Sequence, residues 1–154
     1  MAMVDLAMFS TKDGLGVVSL TTIAERQNLP LHYLEQLFLK LKKAELVQST
    51  RGAQGGYQLA RDIHNITVQD IVRAVDKELK ATRCENDDHG CQPNGQKCVT
   101  HDLWAELSYL MDAFLSAVTL AHICHGELHG VGRFGFTNMM KNRSSLEALM
   151  RKSA

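Results

Sequence analysis

Apolar residues recur along most of this chain with a helical rhythm, and the places where the rhythm breaks divide it into short elements. Met1, Val4, Leu6, Ala7 and Met8 are apolar with no capping residue before them, so the chain opens inside a helical pattern, which Gly14 and Gly16 end. Ser19 is placed to cap a short helix running through Leu20, Ile23 and Ala24 to about Arg26. Asn28-Leu29-Pro30 then makes a turn, and Pro30 suits the first turn of the next helix, where no N–H is required. That helix carries Leu31, Leu34, Leu37, Phe38 and Leu41 as an apolar stripe, with His32, Tyr33, Glu35, Gln36, Lys40 and Lys43 on its polar side. Two short helices joined by a tight turn predict a helix-turn-helix whose second member is the recognition helix.

The period then changes. Leu46–Thr50 and Tyr57–Leu59 are β-prone and flank Arg51-Gly52-Ala53-Gln54-Gly55-Gly56, which predicts a hairpin, and a hairpin in this position is a wing. Thr67-Val68-Gln69-Asp70 has the form of a capping box and opens a helix with Ile71, Val72 and Val75 on one face. After a polar segment, a helix of about 25 residues is expected from about Thr100 to Cys124, ~37 Å long. Leu103, Leu107, Leu110 and Phe114 form one stripe on it, and Trp104, Met111, Leu115 and Val118 form another beside it. The combined face is wider than one core needs, which predicts a dimer interface over the alternative of a single broad core face. His122, His125 and His129 would share a face if that helix continued, but Gly126 and Gly130 favour solvated helix-end histidines over a second metal site.

The expected fold class is therefore mainly α with a small β-hairpin wing: a winged helix-turn-helix plus a long dimerisation helix. The expected division is a DNA-binding region over 1–80 with a shortened first helix, a metal-binding loop over 81–101, the dimerisation helix over 102–130 and a tail over 131–154. A length of 154 residues suits one domain with an oligomerisation element, and an apolar fraction of 45% supports a core without disulfides. Seventeen basic residues balance seventeen acidic ones, but residues 19–61 hold six Lys/Arg against three acids, a distribution compatible with phosphate contacts. The first ten residues lack a basic leader region and no apolar stretch approaches membrane-spanning length, so a cytoplasmic protein without membrane partners is expected. In that reducing compartment, clustered cysteines read as metal-binding or redox-active.

Three of the four cysteines are clustered: Cys84, Cys91 and Cys98 are seven residues apart, and His101 follows three residues later. The filler is polar, with Gly, Pro, Asn and Asp, and cannot build a packed element of its own. Three thiolates and an imidazole form a complete soft-ligand set for zinc or an iron–sulfur cluster. Structural zinc sites usually include short Cys-x2–4-Cys knuckles, whereas the arcs here hold six residues each and fit a larger, sulfide-bridged object better. Unligated thiols in such a loop would gain little and risk oxidation. Cys98 and His101 could imitate a nucleophile and base, but nothing supplies an orienting acid, an oxyanion hole or a pocket, so no enzyme is expected.

For DNA, His32, Tyr33 and Gln36 sit near the start of the second helix, the end that usually enters the major groove, and Gln36 has the paired groups that recognise adenine. Arg51 precedes the glycine turn, where a wing can place it in a narrow minor groove. Gly52, Gly55 and Gly56 permit close backbone approach to phosphates.

Taken together, these segments closely resemble the winged-helix, cluster-sensing transcription factors that regulate iron–sulfur cluster assembly. The resemblance runs from Met1 to about Glu127. It rests on Ile23-Ala24-Glu25-Arg26-Gln27, Tyr33-Leu34-Glu35-Gln36-Leu37-Phe38, Arg51-Gly52 with Gly55-Gly56-Tyr57, Ala81-Thr82-Arg83-Cys84 and Cys98-Val99-Thr100-His101-Asp102-Leu103-Trp104. It implies a homodimer that binds double-stranded DNA, carries one 2Fe-2S cluster per subunit, receives it from cluster donor proteins and controls cluster assembly genes. The implied ligands are Cys84, Cys91, Cys98 and His101. Tyr33, Glu35, Gln36 and Arg51 match DNA-reading or discriminating positions. The chain departs from the family in having six rather than five residues in each long cysteine gap, and in starting about ten residues later. Two alternatives stand beside this reading: a nitric-oxide-sensing repressor of the same fold, and a zinc-binding DNA-binding module.

Overall fold

The computed structural model describes residues 1–9, 16–52, 55–76, 92 and 95–128. The order of elements is α1 (Ala2–Phe9), α2 (Leu20–Gln27), α3 (Leu31–Lys43), β1 (Val47–Thr50), β2 (Gly56–Leu59), a 3-10 turn (Ile63–Asn65), α4 (Val68–Val75), α5 (His101–Ala117) and α6 (Leu120–Cys124). Cys84, Cys91 and His129 lie outside the described residues, as do most of the expected metal-binding loop and the tail.

Local chemistry sets the helix ends. The Ser19 side chain accepts from Thr22 N–H at the start of α2, and Asn28 closes that helix in the left-handed conformation, φ 51°. Asn adopts this conformation at less cost than most side chains, so the chain turns sharply there. Pro30 directly precedes α3. The capping box of α4 is present in full: Thr67 and Asp70 each bond the other's backbone N–H.

Leu34, Phe38 and Leu41 of α3 are buried beside Ile23, Ala24, Leu6, Leu46, Val47 and Ile66. Each fully buried side chain of this size contributes about 1.5–3 kcal/mol, so α3 is anchored through one face. Leu31, expected on that stripe, is exposed instead at the first turn, where the helix starts outside the core.

The two strands pair antiparallel with Val47 opposite Leu59 and Thr50 opposite Gly56. Val18 adds a single bridge to Tyr57. A Cβ on Gly56 would lie 2.4 Å from the Val18 carbonyl oxygen, so only glycine lets this third segment close on the hairpin. The Tyr57 ring meets Phe38 edge-on, with centroids 5.0 Å apart, and fixes the hairpin against α3.

One expectation is corrected. The single helix expected from about Thr100 to Cys124, and over 102–130 as a dimerisation element, is interrupted: α5 ends at Ala117 and α6 starts at Leu120. Val118 and Thr119 are extended because they pair with the chain around Thr67. Val68 N–H donates to the Val118 carbonyl at 2.8 Å, and Leu120 N–H donates to the Ile66 carbonyl at 2.9 Å. Two consecutive β-branched residues favour that extended path. Thr119 and His122 then form a second capping box, and Leu120 and Ala121 enter the buried interior beside α1. His122 is thereby committed to a helix cap. The ring of His125 instead neighbours His64, centroids 6.2 Å apart, so His122 and His125 do not form the shared imidazole face considered above.

Candidate functional site

The outward face of α3 is built by the burial of its inward face. With Leu34, Phe38 and Leu41 committed to the core, His32, Tyr33, Glu35 and Gln36 stand exposed along its N-terminal half. The expected base-reading group is thus brought together on one accessible surface. Leu39 is also exposed on this helix, at 56%, outside the group expected to read DNA. The signal was available: Leu39 follows Gln36 by three positions and His32 by seven, which places it on their face and not on the apolar stripe.

Polar contacts hold α3 and its partner helix in place. Asp5 of α1 is buried; its two carboxylate oxygens accept from Arg26 Nη1 at 3.0 Å and Gln27 Nε2 at 2.9 Å. The Arg26 guanidinium lies 3.8 Å from the centre of the Phe9 ring. One buried carboxylate therefore ties the first helix to the end of α2, with both its oxygens satisfied. At the far end of α3, Lys40 Nζ donates to the Val75 carbonyl at 2.8 Å, capping the last turn of α4. Lys42 Nζ donates to Ser49 Oγ at 2.7 Å, linking α3 to β1.

Arg51 and Gly52 are exposed at the end of β1. Gly52 has φ 125°, a conformation that side chains rarely adopt, and Gly55 N–H closes the turn onto its carbonyl at 2.9 Å. The hairpin therefore presents Arg51 from a defined turn packed against the recognition helix.

Of the expected metal ligands, Cys98 and His101 are described. His101 N–H donates to the Cys98 carbonyl at 2.9 Å, so both belong to one turn at the head of α5. Cys98 is half-buried and its Sγ lies 3.6 Å from Thr100 Oγ1; His101 is 5% exposed. A thiol and an imidazole on one turn are ligand types that suit a soft metal. No group of three potential ligands occurs among the described residues, consistent with Cys84 and Cys91 lying outside them. Partial burial against the core pushes the thiol of the remaining cysteine, Cys124, up from its ordinary value.

A polar cluster joins this arm to the body. Gln69 of α4 is buried, and its amide donates to Asp112 and accepts from Ser116, both on α5. Arg73 Nη2 adds a 3.1 Å ion pair to Asp112. Thus α4 contacts both the helix that starts at His101 and the C-terminal end of the recognition helix. Among the described residues no helix is long and apolar enough to cross a membrane.

Comparison with known proteins agrees with this geometry. Residues 1–126 match the Rrf2 family, described as iron-dependent transcriptional regulators. The HTH-type transcriptional regulator IscR of Sodalis glossinidius is 48% identical over 126 residues, covering 82% of this chain and 73% of that protein. IscR of Serratia proteamaculans is 44% identical, covering 82% and 74%. Among solved structures, IscR of T. potens superposes with a TM-score of 0.63 at 40% identity, covering 82% of this chain and 80% of its own. CymR, the global cysteine regulator of B. subtilis, superposes with a TM-score of 0.62 at 33% identity, covering 80% and 87%.

Proposed function

Because the chain belongs to the Rrf2 family of iron-dependent transcriptional regulators, we propose that it senses iron–sulfur cluster status and controls cluster assembly genes accordingly. It is a DNA-binding transcriptional regulator of helix-turn-helix type and not an enzyme. The finer reading is a cytoplasmic homodimer holding one 2Fe-2S cluster per subunit, supplied by cluster donor proteins. Cys84, Cys91, Cys98 and His101 would hold the cluster, and that bound group would supply the sensitivity to iron, oxidants and cluster demand.

The observation that carries this reading is the turn placing Cys98 and His101 together at the head of α5. From that helix, Asp112 and Ser116 engage Gln69 of α4, and the last carbonyl of α4 accepts from Lys40 of α3. The ligand turn is therefore linked to the reading helix through the length of α5, the Gln69 contacts and α4. On DNA, His32, Tyr33 and Gln36 face base edges, Arg51 and Gly52 bring the wing to the minor groove, and Lys40 faces phosphate. Glu35 rejects sites whose groove edge offers only acceptors, since a carboxylate is tolerated mainly where cytosine N4–H donates to it. Differential DNA affinity of the loaded and unloaded states is what such a switch requires.

Anaerobic purification followed by iron, acid-labile sulfide and visible absorbance measurements tests the proposal. Equimolar iron and sulfide with charge-transfer bands are expected, and Cys84→Ala, Cys91→Ala and Cys98→Ala should each abolish them. A colourless protein with stoichiometric zinc would favour the zinc module.

A further inference from the structure

We propose that Leu39 reads thymine in the major groove, packing its side chain against the C5-methyl group. The proposal rests on α3 being the reading helix and adds to that helix an apolar contact alongside its hydrogen-bonding groups. At 3.6 residues per turn, His32, Gln36, Leu39 and Lys43 fall within a sector of ~60°, roughly opposite the buried Leu34, Phe38 and Leu41. Leu39 thus lies on the outward face, at the edge of that sector next to Glu35. A singly exposed leucine is ordinary on a protein surface, so exposure alone carries nothing. Its surroundings do.

On the helix surface Leu39 adjoins Glu35 and Gln36 one turn before it and Lys43 one turn after it, with Lys40 next in sequence; the two ammonium groups complement a polyanion, while His32 and Gln36 have hydrogen-bonding groups to satisfy. An apolar protein partner would have to desolvate these neighbours, whereas duplex DNA matches them and its major groove offers an apolar group on one base alone. Among the four bases, only thymine presents a methyl group at that edge. A leucine between a glutamine that can pair with adenine and a lysine facing phosphate therefore suits an A·T-containing site.

The test uses DNA enriched by the purified protein from random duplexes. Each thymine of the enriched site is replaced in turn by deoxyuridine, which removes only the methyl group. Affinities are measured at one salt concentration for the wild type, Leu39→Ala, Leu39→Met and Gln36→Ala. Burial of one methyl predicts about a fourfold loss for the wild type at one or two positions. Leu39→Ala should bind the thymine duplex more weakly by at least that factor and lose its sensitivity to deoxyuridine at the same positions. Leu39→Met, which restores apolar reach, should retain that sensitivity. Melting temperatures should stay unchanged because the side chain is exposed.

Insensitivity of the wild type to every replacement would overturn the proposal, as would an undiminished penalty in Leu39→Ala. A changed oligomeric state with unchanged DNA affinity in Leu39→Ala would assign the residue to a protein contact and equally refute it. If Gln36→Ala weakens binding and Leu39→Ala does not, the reading helix stands and the leucine contact falls. If neither variant changes affinity, the assignment of α3 falls as well.

Discussion

Arg51 and Glu35 carry opposite charges on the two surfaces proposed to face DNA, and they predict opposite outcomes. Arg51 extends from the hairpin turn held by Gly52 and Gly55. Arg51→Ala should weaken binding to a cognate operator by about 1–3 kcal/mol if it reads a groove, in a variant whose melting is unchanged. Glu35 sits exposed between Tyr33 and Gln36 with no structural duty to the core. Glu35→Ala in cluster-free protein should gain affinity for operators otherwise bound only by the loaded form. Titrating both forms against both operator classes at fixed salt checks this, because salt alone shifts such affinities greatly. The exposed placement of both was legible in the sequence, since an arginine before a glycine turn and a polar side of a helix are local signals. Asp5 was not: nothing near it announces Arg26 or Gln27 as partners, and only packing of α1 on α2 brings them within 3.0 Å.

At the scale of elements, the helix-turn-helix and wing were legible because their determinants are short-range. Ser19, Pro30, Thr67 and Asp70 mark helix starts, and Gly52, Gly55 and Gly56 mark the turn. The interruption at Val118 and Thr119 was hidden because its cause lies at Ile66–Val68, distant in sequence. Apolar periodicity carries straight through the break and cannot register a bond to a remote backbone. Gly56→Ala should open the hairpin from Val18 and cost about 1–3 kcal/mol of stability, measured by denaturant unfolding. Lys40 joins two elements and is proposed to face DNA as well. An ammonium has three donors, and the Val75 carbonyl takes one of them. Lys40→Met should therefore lower the melting temperature and reduce the slope of log affinity against log salt by about 0.9, the value of one phosphate contact.

For the whole molecule, the exposed apolar side of α5 is the surface proposed to join two subunits. Leu103 is 62% exposed, and Trp104, Leu107 and Phe114 are exposed on the same side. An isologous pairing of two such helices would cover them and set two reading helices on successive half-sites. Leu103→Glu together with Leu107→Glu should yield monomers in sedimentation and lose about 100-fold or more in affinity for a two-half-site operator, as effective concentration disappears. The body to which α5 is attached is itself closed late. Helix α1 packs on α6, and Thr67 waits for Thr119. At about 5–20 residues per second of synthesis, that partner emerges ~3–10 s afterwards. On a translating ribosome the DNA-binding body is thus left with an open seam until the cysteine segment and α5 have both been made. No nascent chain can close this body without already possessing the arm proposed to pair it, which builds an order of assembly into the path of the backbone.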